Sequence, residues 1–302
     1  MSASTLTITQ KFFAMFGNAE RNATIRELAK APLFRDSTHM IQFVVPDTLS
    51  SLLFCSLIYV MSFNFVHLLV PQGSLSNPLK RRKLCYGITN FVVNLVLGVA
   101  GFYYNSLLNE DPTPQEIIQL GELHFFGSWQ LGYQLWAIPV GIFFVKEDPL
   151  MLLHHVAVIM AASTIALFTN GMRYWAPFVL GCVEISSVPL AVMNVFKDNK
   201  ELIAKYPDAY LMVRTAFAIC FLYVRVFMFV PRNSMQMYDH VMAWSNNENT
   251  IYKIYSFLVF FSSLFLTFLQ LKWGHLIVKG FVKTYSGIIF GDVEKISKDK
   301  IS

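Results

Sequence analysis

The feature that most limits this chain is a run of long apolar stretches of nearly equal length. Seven of them, at 48–70, 84–107, 127–145, 149–169, 174–196, 209–231 and 252–278, follow one another with few charges inside. A helix rises 1.5 Å per residue, so about 20 residues cross the roughly 30 Å of bilayer hydrocarbon. In lipid, a backbone N–H or C=O finds a partner only within its own helix or in a closed barrel. The period-two alternation of a barrel strand is absent. The expected fold is therefore all-α: a polytopic membrane protein with about seven transmembrane helices.

Composition supports this reading. Charged residues make up 14% of the 302 and hydrophobic ones 55%, whereas soluble domains carry charge on about a quarter of their residues. Only Lys146-Glu147-Asp148 separates the third and fourth stretches, so they form a tight antiparallel hairpin, and Pro149 suits the first position of the next helix.

Three regions follow: an N-terminal tail (1–46), a membrane domain (47–283) and a C-terminal tail (284–302). The first lacks the compact apolar run behind a basic flank that marks a cleavable signal peptide, so the first span serves as its own insertion signal. Within it, Thr9 to Ala31 reads as a short interfacial amphipathic helix, interrupted at Gly17 and Asn18.

Lys and Arg are retained on the cytosolic side of a membrane. Lys80, Arg81, Arg82 and Lys83 follow span one; Lys197, Lys200 and Lys205 follow span five; Lys279, Lys283, Lys295, Lys298 and Lys300 follow span seven. These loops share one side of a seven-pass chain. The opposite loop at 108–126 has no Lys or Arg and four acids, Glu110, Asp111, Glu116 and Glu122. The N-terminus is thus expected to be lumenal and the C-terminus cytosolic. Asn22-Ala23-Thr24 is a glycosylation sequon usable only in the lumen. Lysines third and fifth from the end are similar to the dilysine signal read on cytosolic tails, which implies the endoplasmic reticulum and trafficking partners.

Ionisable groups within a span are costly unless they face a bundle interior, which makes each a functional candidate. They are His154, His155, Glu184, Arg214 and Arg225, with amides nearby at Asn90, Asn94, Asn105, Gln130 and Gln134. Asn94, Gly98, Gly101 and Asn105 recur at three- and four-residue steps and share a helix face, a pattern that serves close packing as well as ligand contact. Gln130 and Gln134 lie one turn apart. Arg214 and Arg225 are about three turns apart on nearly one face. Polar stripes on several helices imply a shared interior cleft. Counting depth along the helices, Glu184 meets Arg225, while a histidine and Arg214 line the cytosolic mouth. Adjacent histidines diverge by ~100° around a helix, so one of His154 and His155 is expected to face the cleft.

Cys55, Cys85, Cys182 and Cys220 all fall in spans as small apolar residues. No metal-ligand spacing, phosphate loop or hydrolase motif is present. Basic residues beside spans point to lipid head groups and not to nucleic acid.

At Leu152-Leu153-His154-His155 and Val183-Glu184-Ile185-Ser186-Ser187, with Gly132-Tyr133 and Phe221 to Arg225 in support, the chain resembles the TLC-domain family, which includes the ceramide synthases. The resemblance covers about 47–283 and implies a six-helix TLC-type bundle enclosing a polar cleft. In ceramide synthases the paired histidines act with a His-Asp-x-Ser-Asp element in acyl-CoA-dependent N-acylation. Here Val183 and Ser187 replace its histidine and second aspartate, while Glu184 and Ser186 keep an acid and the serine, so the likeness is closer to the non-ceramide-synthase members. Two functions are implied. In one, the cleft binds a membrane lipid for lipid homeostasis through Arg214, Arg225, Asn94, Gln134 and Ser186. In the other, the chain is a lipid N-acyltransferase with acyl-CoA as co-substrate and no resident cofactor, using His154, His155 and Glu184.

Overall fold

The computed structural model describes residues 19–28, 37–68, 77–119, 123–168, 173–244 and 249–299. The start of the expected amphipathic segment (9–18) and the end of the lysine motif (300–302) lie outside them. In chain order the helices are α1 (Ala19–Leu28), α2 (Ser37–Phe65), α3 (Pro78–Ser106), α4 (Pro114–Gln119), α5 (His124–Val140), α6 (Pro149–Leu167), α7 (Pro177–Asp198), α8 (Lys200–Lys205), α9 (Pro207–Ala243) and α10 (Thr250–Val282, running on to Asp299). Their starts follow local chemistry. Asn77 accepts from the N–H groups of Leu79 (2.9 Å) and Lys80 (3.4 Å) at the head of α3. Asp148 accepts from Leu150 N–H at 2.8 Å at the head of α6, and a proline stands at the first turn of both.

The chain is an all-α polytopic membrane protein. Among the described residues six helices, α2, α3, α6, α7, α9 and α10, are long and apolar enough to cross a bilayer. The expected seventh span, 127–145, forms α5 and a wider π turn over Gly141–Val145. It carries a buried polar and aromatic face. Gln130, Gln134, Tyr133 and Trp136 are all buried in it. It runs alongside α6: a Cβ on Gly127 would meet Ala162 O at 2.6 Å, and one on Gly141 would meet Leu152 at 3.1 Å.

Packing closes a ring. In order around it, α2 touches α5, α5 touches α6, then α10, α9, α7 and α3 follow, and α3 returns to α2. Besides the Gly127 contact, two crossings are tighter still. A Cβ on Gly132 would lie 2.2 Å from Thr48 O on α2, and one on Gly101 would lie 2.2 Å from Cys182 N on α7. Gly98 and Gly101 thus serve packing, as small residues in membrane helices commonly do.

At that second crossing α7 is not a regular α-helix. It winds as a π turn over Pro177–Gly181, then as a 3₁₀ turn over Cys182–Ser186, and becomes α-helical only from Ser187. Every residue from 177 to 184 is buried, which satisfies the rule that irregular backbone at membrane depth must be covered by protein. A second π segment, Phe221–Met228, interrupts α9. Glu184 lies on the first irregular stretch and Arg225 on the second.

Several expected boundaries need correction. Helix α2 starts at 37, not 48. Helix α9 runs past 231, because Asn233, Gln236, Asp239 and His240 form a buried polar face on it rather than a loop. Arg232 lies within the helix. Arg173, between the fourth and fifth apolar stretches, is 2% exposed and donates to the carbonyls of Ile165 (3.1 Å) and Phe168 at the end of α6. Residues 19–28 are docked rather than trailing as a tail: Arg21 pairs with Asp239 at 2.8 Å, and Asn22 Nδ2 donates to Tyr238 Oη at 2.9 Å. Asn22 is 7% exposed, so a glycan on that nitrogen and this docked helix exclude each other.

Candidate functional site

The ring encloses a cavity of about 810 Å³ lined by α3, α5, α6, α7, α9 and α10. Among the described residues none of α2 lines it, so six helices wall the cleft and α2 packs outside them. One end is polar: Lys83, Lys146, Glu147, Asp148, Lys197, Asp198 and Arg214 all line it. Those residues sit at the starts of α3, α6 and α9 and the ends of α5 and α7, so the ring brings these termini to a single mouth.

The large apolar side chains of the wall are gathered on three helices, which also carry charged groups such as Glu184, Lys197, Arg214 and Arg225. On the α7, α9 and α10 side stand Met193, Phe217, Phe221, Trp273, Leu276 and Ile277. Asn90, Asn94, Tyr133, Gln134, His154 and His155 form the α3, α5 and α6 side. The floor is a buried ion pair, Arg225 to Glu184 at 3.1 Å, 7% and 8% exposed. Arg225 also donates to Ser186 Oγ at 2.6 Å and Ser187 Oγ at 2.9 Å, while Ser187 donates to Glu184 at 3.1 Å. The pair is thus braced on both sides, as a buried charge pair must be.

From Glu184 a chain of hydrogen bonds runs to His155, and its polarity is forced. Gln130 Nε2 donates to Leu180 O at 3.1 Å and to Glu184 Oε1 at 3.0 Å, both acceptors only. Gln130 Oε1 must then accept from Gln134 Nε2, at 2.9 Å, which leaves Gln134 Oε1 to accept from His155 Nδ1 at 2.5 Å. The Nδ1 position therefore carries a proton. Its other nitrogen, Nε2, stands 3.5 Å from Glu147 Oε2. The carboxylate on α7 thus fixes the proton arrangement of an imidazole on α6 through two amides on α5.

A second chain starts at Glu147. Tyr86 Oη donates to its Oε2 at 2.6 Å. Glu147 reaches the cleft because the turn before α6 is sharply folded: its N–H donates to Gly141 O at 2.9 Å, and Lys146 takes a left-handed φ of 52°. That conformation costs an L-residue about 1–2 kcal/mol. Strain of this kind gathers where a side chain must be aimed.

All of His154, His155, Glu184, Arg214, Arg225, Asn94, Gln134 and Ser186 line this one cavity. The expected Glu184–Arg225 contact is present, and Arg214 stands at the mouth, its guanidinium 5.5 Å from the Tyr210 ring centre. Both histidines line the cleft, contrary to the expectation that one would. Their rings lie 5.9 Å apart at 57°, His154 meeting Trp273 edge-on, because the cavity wraps around α6 from α5 to α10. Sequence reasoning missed Glu147, Tyr86, Gln130's role as a link, and Trp273. Glu147 gave no signal beyond its place in a short turn. Gln130 was visible as one of two amides a turn apart.

Behind the ion pair lies a separate chamber of about 30 Å³, walled in part by His154, Glu184, Arg225, Asn233, Gln236 and Gln270. That is room for one water. Val183 lines this chamber. Among the described residues no three His, Cys, Asp or Glu side chains come together closely enough to hold a metal ion.

A family model described as the TLC domain matches residues 82–279, which takes in all six helices of the cleft wall. No curated protein and no solved structure matches the chain.

Proposed function

The chain belongs to the TLC-domain family, and on that premise we propose that it serves lipid homeostasis by holding a single-chain lipid in the cleft of its ring. One observation carries the reading: a cavity of about 810 Å³, within the ~300–1,000 Å³ of small-molecule sites, whose large apolar side chains gather on α7, α9 and α10 while α3, α5 and α6 contribute mostly polar ones. An amphiphile fits that division, its chain against Phe217, Phe221 and Ile277 and its polar part against the opposite side.

The second reading is acyl-CoA-dependent N-acylation, with His154 or His155 as base. Favouring it are the fixed proton of His155 and the cations Lys83, Lys146, Lys197 and Arg214 at the mouth, which suit an anionic thioester. Against it, Val183 faces the small chamber instead of the cleft, and Ser187 is committed to the Arg225–Glu184 pair. Ceramide-synthase chemistry places polar partners at both positions. Binding without that chemistry is therefore the stronger reading.

In the membrane, the mouth faces the cytosol, because the loops rich in Lys and Arg flank it. The dilysine-like end then addresses the protein to the endoplasmic reticulum through trafficking partners. The decisive measurement is mass spectrometry of lipids that co-purify with the protein, wild type against the His154→Ala/His155→Ala double variant. One single-chain species should be enriched in the first and depleted in the second. Equal lipid profiles would sink the proposal. A C-terminal tag should be reachable by antibody after selective permeabilisation of the plasma membrane.

A further inference from the structure

Lys80, Arg81, Arg82 and Lys83 follow one another in the first two turns of α3. They stand at the unfavourable end of it. The N-terminus of a helix carries the positive end of its dipole, and the first turn of α3 holds no acidic residue. Among the described residues none of the four forms an ion pair. The two carboxylates of the neighbouring turn are engaged elsewhere, Glu147 with Tyr86 and Asp148 with the N–H of Leu150. Positive charge is thus gathered at one helix end without a carboxylate paired to it.

Successive residues diverge by ~100° around a helix, so the four reach different neighbours. Lys83 lines the mouth of the cleft. Arg81 reaches the end of α2, where it donates to Phe63 O at 2.6 Å and lies 4.0 Å from the centre of that ring. Arg82 lies 5.8 Å from the centre of Phe144, in the wide turn that follows α5, and within electrostatic reach of Tyr59 on α2. Lys80 and Arg82 are exposed, and so are Phe63, Phe65, Phe143 and Phe144. The ends of α2, α3 and α5 therefore share one outer surface, on which cations and bare aromatic rings stand side by side.

Each half of that surface asks for a different part of a phospholipid. Exposed rings on a membrane-spanning bundle lie against acyl chains, and a guanidinium resting on such a ring is held where chains give way to head groups. The planar fork of an arginine matches the oxygens of a phosphodiester. Net charge then selects among lipids. A zwitterionic head group brings an ammonium with its phosphate and leaves the four cations uncompensated. An anionic one relieves their mutual repulsion and complements the dipole of α3 as well.

We propose that this outer face binds the head group of an anionic diacyl phospholipid of the surrounding bilayer. Arg82 and Lys80 are its contacts, Phe143 and Phe144 take the upper part of its chains, and Arg81 fixes the end of α2 beside them. The site lies outside the ring and stands independently of what occupies the cleft.

The test is native mass spectrometry of the full-length protein in detergent with an equimolar mixture of dioleoyl phosphatidylserine and dioleoyl phosphatidylcholine. The first lipid retained should be the serine lipid, bound roughly fivefold more tightly than the choline lipid. Because the contacts are exposed, that preference should shrink as ionic strength rises. Arg82→Gln should abolish it, whereas Arg82→Lys, which keeps the charge and loses the fork, should retain part of it. Lys200→Gln removes a cation from the same end of the bundle but away from α3, and should leave the preference unchanged. Equal retention of the two lipids by the wild type would overturn the proposal. So would a preference that survives Arg82→Gln, and its loss in Lys197→Gln instead would place the head group at the cleft mouth.

Discussion

The Glu184–Arg225 pair makes the sharpest energetic prediction. Glu184 takes three donors, from Gln130, Arg225 and Ser187, on two oxygens. Glu184→Gln keeps the shape but offers one oxygen and one NH₂. If the oxygen stays on Gln130, the NH₂ points at Arg225 and Ser187, and the guanidinium loses its counter-charge. Arg225→Gln leaves Glu184 charged and 8% exposed with no cation beside it. Breaking a buried pair from one side costs about 3–5 kcal/mol, so the two single losses sum to roughly 6–10. In the double variant no uncompensated charge remains, and the loss should fall to about 3–5 kcal/mol, that of a few hydrogen bonds at ~1 kcal/mol each. The measurable quantity is a coupling energy of about 3–5 kcal/mol, at or above the top of the usual range for residues in contact. Unfolding by titration with a denaturing detergent, followed by tryptophan fluorescence, gives all four corners of the cycle. Losses additive to within ~0.5 kcal/mol would refute the reasoning and mean that the two groups are held by other partners.

Gly101→Ala should prevent assembly or cost several kcal/mol, because its Cβ would meet backbone at 2.2–2.7 Å, while Gly87→Ala, with nothing within 4 Å, should be tolerated; thermal unfolding in detergent distinguishes the two. Lys146→Gly should stabilise the protein by up to ~1 kcal/mol by relieving the left-handed residue, and a loss on the same assay would mean that the lysine side chain is needed in the turn. Hydrogen bonds from Thr113 N–H and its hydroxyl hold the Glu116 carboxyl at the start of α4 below its ordinary value. A lowered folded value means that this support is present above the ordinary 4.5 and is lost as pH falls through the folded value; hydrogen exchange over 113–119 should speed up on acidification in the wild type and lose that pH dependence in Glu116→Gln.

How far the sequence could be read depended on whether local chemistry decided the outcome. Apolar length placed the helices because lipid leaves the backbone no alternative. Ionisable residues within spans marked the cleft, because each had to find an interior. The pairing of Glu184 with Arg225 followed from depth alone. What stayed hidden was decided by contacts distant in sequence. Glu147 looked like part of a connector, and only the close approach of its N–H to Gly141 turns it inward. Asn233, Gln236, Asp239 and His240 read as a loop because they are polar, yet they are spaced as a helix face whose partners are distant in sequence: Asn233 donates to Ser263 and Thr267 on α10, and Asp239 pairs with Arg21 on α1. Nor could 3.6-residue periodicity foresee the broken winding of α7, which answers to Gly101 pressing on Gly181.

The winding of α9 over 221–228 also bears on how this chain should be compared with others. A π turn closes its hydrogen bonds over one more residue than an α turn does. Each such segment is therefore an extra residue lodged inside a helix. Removing one residue from 221–228 would let α9 wind regularly, at the expense of turning everything after it by about 100°, which would carry Asn233 and Asp239 off the face they now share. A relative built without this insertion should show a one-residue gap between the positions of Arg225 and Asn233, in the middle of a helix, where gaps are ordinarily refused. Matching the two without that gap would pair residues that face lipid in one protein with residues that face the bundle in the other.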